Sequence, residues 1–321
     1  MSAALHEEPF DALRTLLRSF GQIVLQRNAA TGACVLAAWL VSDARFACAA
    51  LTGAIAANVG AVLRGYDPAD TRDGLHGFNG ALAGLAASTF IADDATAMAV
   101  AILAATAAAW LVGPLARLLR SRGLGFYSSP CLLVTWAWLP LVYLAPAHVA
   151  ASDAVSWFDP MRGLLAGVAQ TSFAGSALAG VLILGGIALS SMRSALFALA
   201  GAALATSAHW LIGADSASLG AGLLGFNGAL TALALADCGV LAALAGVGVS
   251  VAMQQAAIVS GLPAMTAPFV VATWTLRLLM RDTRRTSTST SNRSRAPDSA
   301  IERSADLGRR EKTTRAVSPE V

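Results

Sequence analysis

Residues 74–82 read Gly74-Leu75-His76-Gly77-Phe78-Asn79-Gly80-Ala81-Leu82, and residues 222–230 read Gly222-Leu223-Leu224-Gly225-Phe226-Asn227-Gly228-Ala229-Leu230. Eight of the nine positions are identical, at an offset of 148. The same offset joins Arg14 to Arg162, Gln22 to Gln170, Gly32 to Gly180, Arg45 to Arg193, Gly65 to Gly213 and Asp67 to Asp215. Further along, the offset falls to 138: Gly123 matches Gly261, Pro130 matches Pro268, Thr135 matches Thr273 and Trp136 matches Trp274. The chain is an internal duplication in which the first copy carries ten extra residues between these two stretches.

What is duplicated is apolar. Of 321 residues 56% are hydrophobic and 13% charged, and the one lysine is Lys312. A soluble fold of this size needs more polar surface than that, so the composition argues for an integral membrane protein in a lipid bilayer, and its apolar segments of helix-spanning length make the expected fold class all-α. Residues 1–280 carry 12 Arg against 13 Asp and Glu, whereas residues 281–321 carry 10 Arg and Lys against 6 acids. The basic stretch is a Ser/Thr/Arg run, which reads as a disordered tail rather than the basic face of a nucleic-acid binder.

A spanning helix takes about 20 mainly apolar residues. Candidates lie at 29–44, 45–64, 73–92, 95–116 and 124–145, and again at 176–190, 193–213, 219–236, 237–259 and 262–280. Before each set comes a less apolar segment, 10–26 and 159–174, holding a glutamine and an arginine. These read as re-entrant half-helices or as amphipathic helices on the surface; their glutamines favour the first. The expected organisation is an N-terminal segment 1–9, a first repeat 10–145, an external connector 146–160, a second repeat 161–280 and a basic cytoplasmic tail 281–321. Five spans per repeat is an odd number, so consecutive repeats enter the bilayer from opposite sides, inverted about an axis in its plane. Arg117, Arg120 and Arg122 share one loop, and Asp93, Asp94, Asp153 and Asp159 lie in loops without a base. Positive charge marks the inner side, which puts both termini in the cytoplasm.

Residue chemistry narrows the function. In each motif, Gly77 and Gly80, or Gly225 and Gly228, allow close helix approach. Phe78 and Phe226 offer a flat apolar wall, and Asn79 and Asn227 can satisfy a broken backbone or hold a neighbouring helix end. Gln22 and Gln170 supply amide donors and acceptors, as pore groups or as interhelical glue. Leu25 and Phe173 follow three residues later, and Leu82 and Leu230 follow the motif phenylalanines by four. Ser128 and Thr266 precede the paired Pro130 and Pro268 by two and carry hydroxyls where the halves should meet. No Asp, Glu or Lys falls mid-span, unlike an ion-coupled pump. Neither a phosphate loop, a zinc signature nor a hydrolytic triad is visible, so no cofactor, metal or enzyme activity is expected. His76 and His209 are not repeat partners and read as structural. The four cysteines are scattered through apolar stretches and read as buried hydrophobes.

These residues resemble the urea transporters of bacteria and vertebrates. The likeness runs from about residue 10 to 280 and is carried by Gly21-Gln22 with Gln26 and Asn28, by the doubled Leu-x-Gly-Phe-Asn-Gly-x-Leu motif, and by Leu262-Pro263 leading to Thr266-Ala267-Pro268-Phe269. The resemblance implies a homotrimer in the cell (inner) membrane with one passive, channel-like urea pore per subunit. In it Gln22 and Gln170 would be the polar ends of a slot-shaped filter. Phe173, Phe78 and Phe226 would wall it beside Leu82 and Leu230, and Ser128 and Thr266 would line its middle. Leu25 stands where the family usually has phenylalanine and Ser128 where it has threonine, changes that make room for a somewhat larger amide. The alternatives are a channel for another small neutral solute (ammonia, a short amide or water) and a membrane enzyme or scaffold without a solute path.

Overall fold

The computed structural model describes residues 9–142 and 159–281. Apart from Pro9, Asp159, Pro160 and Arg281, the expected N-terminal segment, connector and tail lie outside the described residues. Every regular element among the described residues is helical. In the first half these are α1 (Pro9–Ile23), α2 (Ala29–Ser42), α3 (Ala44–Leu63), the short α4 (Pro68–Arg72), α5 (Gly77–Phe90), α6 (Asp94–Arg120) and α7 (Ser129–Val142). The second half follows the same order: α8 (Pro160–Ala169, continued as a 3₁₀ turn to Ser172), α9 (Ala177–Ser190), α10 (Met192–Leu211), the short α11 (Ser216–Gly220), α12 (Phe226–Leu235), α13 (Val240–Val259) and α14 (267–281). Each half is therefore a lead helix, five longer helices and one short helix before the Gly-Phe-Asn-Gly motif. The chain divides at Trp274 into two compact units, Met1–Trp274 and Thr275–Val321; the described part of the second is the end of α14.

Runs of alanine and leucine, the best helix formers, make these elements, and polar side chains start them. Asn28 accepts from the N–H groups of Ala30 and Thr31, Asp43 from Arg45, Asp93 from Thr96, Asp159 from Met161 and Arg162, and Ser176 from Ala179. Asp67 and Asp215, partners in the duplication, cap the two short helices. The Ser218 N–H bonded to Asp215 holds that carboxyl below the ordinary carboxylate range.

Of the ten candidate spans, some of them short, fewer than half are long helices among the described residues. Among the described residues α3, α6, α10 and α13 are long and apolar enough to cross a membrane, and α8 with α9 passes as one pair bent by 66°. Helices α2 and α7 have 14 residues each, a rise of about 21 Å against about 30 Å of hydrocarbon. Helix α2 is bounded by the polar turn Gln26–Asn28 and by Asp43, and α7 starts only at Ser129, after the break at Tyr127, with the described residues ending at Val142. The breaks recur at matched positions. Leu25 and Phe173 are left-handed (φ 58° and 63°), as are Tyr127 and Met265 (φ 47° and 48°). Gly65 and Gly213, Gly74 and Gly222, and Gly123 and Gly261 also share positive φ. The duplication thus extends to individual backbone dihedrals.

Small residues let the helices meet. α5 packs on α3 and α6, and α12 packs likewise on α10 and α13, while α2 packs on α9 across the halves. A Cβ built on Gly80 would collide with the Gly53 carbonyl, and one on Gly228 would collide with the Gly201 carbonyl. These are the same contact in both copies. Across the halves, Thr31 Oγ1 donates to Gly186 O at 2.7 Å and Trp39 Nε1 donates to Ser172 O at 2.7 Å. Trp39 is fully buried, edge-on to Phe20 with ring centres 5.0 Å apart.

Gly80→Ala and Gly228→Ala are therefore expected to destabilise the protein by about 1–3 kcal/mol through overpacking. Gly185→Ala, where a Cβ meets nothing within 4 Å, should be neutral or stabilising by up to about 1 kcal/mol. Thermal unfolding of the detergent-purified variants, compared side by side, checks both.

Candidate functional site

The site is built on the interruptions. At the end of α1, Gly21 O accepts from Val24 N (3.1 Å) and Gln26 N (2.9 Å), and Gln22 O accepts from Leu25 N (2.9 Å). At the end of the 3₁₀ turn after α8, Ala169 O accepts from Ala174 N and Gln170 O from Phe173 N, both at 3.2 Å. A left-handed leucine or phenylalanine costs about 1–2 kcal/mol, and these closing bonds hold it in place.

Each closed end carries a glutamine whose amide is anchored by its nitrogen. Gln22 Nε2 donates to Asp73 O at 3.0 Å, and Gln170 Nε2 donates to Ala221 O at 3.1 Å. A backbone carbonyl can only accept, so the nitrogen side is fixed and Oε1 is the group left to receive a donor. Asp73 and Ala221 are themselves partners at offset 148.

The asparagines bridge to the other two breaks. Asn79 Nδ2 donates to Tyr127 O (3.1 Å), and its Oδ1 accepts from Cys131 N (3.1 Å). Asn227 Nδ2 donates to Met265 O (3.0 Å), and its Oδ1 accepts from Phe269 N (3.2 Å). Gln254 adds a further bond to Asn227 at 3.1 Å, from α13. Immediately beyond Tyr127 and Met265 come Ser128 and Thr266, both buried, with their hydroxyls 2.8 Å apart.

A small cavity of ≈ 10 Å³ lies at this hydroxyl pair, room for about one water. It gathers seven of the ten expected site residues: Gln22, Leu25, Phe78, Leu82, Ser128, Leu230 and Thr266. Gln170, Phe173 and Phe226 do not line it. Gln170 sits at the second closed end on Ala221, Phe173 packs against the large core cluster, and Phe226 packs beside Leu230 and Phe269. Of the paired prolines, Pro130 is buried in the first turn of α7, and Pro268 lines a separate apolar groove with Trp136 and Met253.

A model of the urea transporter family matches residues 13–281. This chain belongs to that family. Among similar proteins is Urea transporter 1 of Ovis aries, 26% identical over 308 residues, which cover 82% of this chain and 76% of that protein. Family membership makes the chain a multi-pass membrane transporter rather than an enzyme, in line with its apolar helices.

Several lining residues of this family member escaped the sequence reading. Ile23, Tyr127, Thr171 and Phe269 share the cavity. Phe126 stacks on Phe78 with ring centres 6.0 Å apart and planes 19° from parallel. The signal for Tyr127 and Phe126 was their place just before Ser128; their aromatic character has no counterpart at Met265 and Ala264, so the repeat did not flag them.

Replacing Asn79 or Asn227 with alanine strands a buried carbonyl and a buried N–H at once. Each change should cost about 2–4 kcal/mol of stability, seen as a lower thermal midpoint, and aspartate should not rescue it, because an ionised carboxylate cannot donate.

Proposed function

We propose that this protein is a passive channel for urea, built from two inverted repeats whose paired breaks meet at the Ser128–Thr266 hydroxyls. The observation that carries the reading is that hydroxyl pair, 2.8 Å apart between apolar side chains from both halves, with an anchored glutamine at each closed half-helix end. Family membership and the name of the sheep relative support urea as the solute.

Two exchanged bonds support the inverted arrangement. Trp136 Nε1 donates to Pro263 O at 2.9 Å, and Trp274 Nε1 donates to Gly125 O at 2.7 Å. Donor and acceptor are both related by the offset of 138, and each bond runs from one half to the other. Reciprocal contacts of this kind are what a local two-fold axis produces.

Urea is small, planar and neutral, with N–H groups on one side and a carbonyl on the other. Losing its water uncompensated costs about 4–8 kcal/mol per amide in a hydrocarbon medium. Gln22 Oε1 and Gln170 Oε1 would take its N–H groups at the two ends. In the middle, Ser128 and Thr266 would exchange their mutual bond for bonds to urea, which donates and accepts as a hydroxyl does. Leu82 and Leu230, with the Phe78, Phe173 and Phe226 rings, would confine it to a slot. Binding stays weak at each step, so the solute leaves quickly. The same reading puts the protein in the cell (inner) membrane as a homotrimer with cytoplasmic termini.

Stopped-flow light scattering on proteoliposomes under an inward urea gradient, without an ion gradient, tests this. Wild type should reswell fast relative to empty liposomes. Gln22→Ala and Gln170→Ala should each slow urea entry about five- to ten-fold, the worth of a lost hydrogen bond of about 1 kcal/mol. Ser128→Val should nearly abolish it. Entry of acetamide but not urea would favour a channel for other short amides, with Leu25 and Ser128 as the cause.

A further inference from the structure

The duplication is close enough that its failures are informative, and one failure is concentrated at a single end of the path. Gln22 is anchored on the backbone carbonyl of Asp73. The Asp73 side chain is in turn held by two arginines: Arg27 Nη1 lies 3.3 Å from Oδ2, and Arg18 Nη1 lies 4.0 Å from Oδ1. Arg18 Nη1 also donates to Arg72 O at 3.3 Å, the peptide just before Asp73. Arg18 comes from α1, the helix that carries Gln22, and Arg27 from the turn after Leu25. The acid thus ties the loop that supplies the anchor to both sides of the broken helix end.

At the other end the anchor has the same geometry and none of the charge. Gln170 donates to Ala221 O at 3.1 Å. The positions equivalent to Arg18, Arg27, Arg72 and Asp73 are Ala166, Gly175, Gly220 and Ala221. Four charged residues at one mouth therefore stand against four small neutral ones at the other, although the glutamines and their backbone partners correspond in the repeat. Gln170 is correspondingly the more exposed of the two amides, whereas Gln22 is buried.

We infer that Asp73, clamped by Arg27 and Arg18, is a positioning residue for Gln22, fixing the direction of its Oε1 and so setting permeation at one mouth alone. The inference rests on the urea-channel reading and adds an ionic control to it. The clamp is partly open to water, with side-chain exposures of 65% for Arg27 and 42% for Asp73. It is therefore weakened by salt, and its effect on flux is modest.

The test uses the full chain in proteoliposomes, with equal salt on both faces varied from about 20 mM to about 500 mM, a range that shortens the screening length several-fold. At low salt Asp73→Asn and Arg27→Gln should each lower urea permeability about three-fold, in keeping with a part-exposed ion pair. Asp73→Glu should keep most of the flux. Wild-type permeability should fall toward that of Asp73→Asn as salt rises, while the variant stays flat. Unchanged flux in both Asp73→Asn and Arg27→Gln at low salt, or a salt response in them equal to that of wild type, overturns the clamp while leaving the channel reading intact. Arg27→Gln, at an exposed side chain, decides the matter if Asp73→Asn folds poorly. Absence of urea flux in wild type overturns the channel reading and the clamp with it.

Discussion

Asn79 and Asn227 each hold two ends of a broken backbone, and the rest of the structure is arranged around that bond pair. In an apolar layer an interrupted helix has no water to satisfy its free N–H and C=O groups. The side-chain amide holds its donor nitrogen and acceptor oxygen in a fixed plane, matching the one carbonyl and one N–H that the left-handed turn at Tyr127 or Met265 leaves over, and the second N–H of Asn227 goes to Gln254. The helical spacing of the motif then follows. At about 100° per residue, Phe78 and Leu82 share a face, Asn79 points a quarter-turn away and Gly80 lies roughly opposite. One short motif thus sends an apolar pair to the cavity, an amide to the break and a bare backbone to α3.

The two halves repeat much of what packs and, on the channel reading, differ in what a solute would meet. The glycine contacts, the asparagine bridges, the left-handed positions and the exchanged tryptophan bonds all occur twice. On the channel reading, several of the exceptions lie beside the path. Phe126, stacked on Phe78, stands against Ala264; Leu25 stands against Phe173; and the charged set around Asp73 stands against alanine and glycine. Packing contacts tolerate little change because they are dense on all sides. Side chains that border open space or water have more freedom, and there the copies have diverged.

Much of this was legible in the sequence because the duplication supplied an internal comparison. It located the five longer helices of each half, the lead segments before them, the Gly-Phe-Asn-Gly helices and the Ser128–Thr266 meeting point. Helix lengths were less legible. Hydropathy does not register a break such as that at Tyr127 or Met265, since the residues there are apolar and the turn depends on a distant asparagine. The span expected at 73–92 likewise begins only at Gly77, because Asp67 and Pro68 start a separate short helix. Phe126, Tyr127 and Phe269 were missed for a related reason: comparing the halves reveals what they share, and these aromatics occur in one half only. The same blindness hid the Arg18–Arg27–Asp73 set.

The chemistry of the cavity bears on why a neutral solute fits it. Its lining includes no acid, base or histidine among the described residues, so an ion entering it would find no countercharge. What it has is two hydroxyls already bonded to each other. On the channel reading, this bond is a reference against which any solute is compared. A molecule that both donates and accepts can replace it at little net cost, because each hydroxyl exchanges one partner for another. A purely apolar molecule would separate the hydroxyls and leave them unpaired, and an ion would have to shed its water for two neutral dipoles. Selection at the midpoint would then follow less from the size of the opening than from the requirement to substitute for a hydrogen bond that the protein makes with itself.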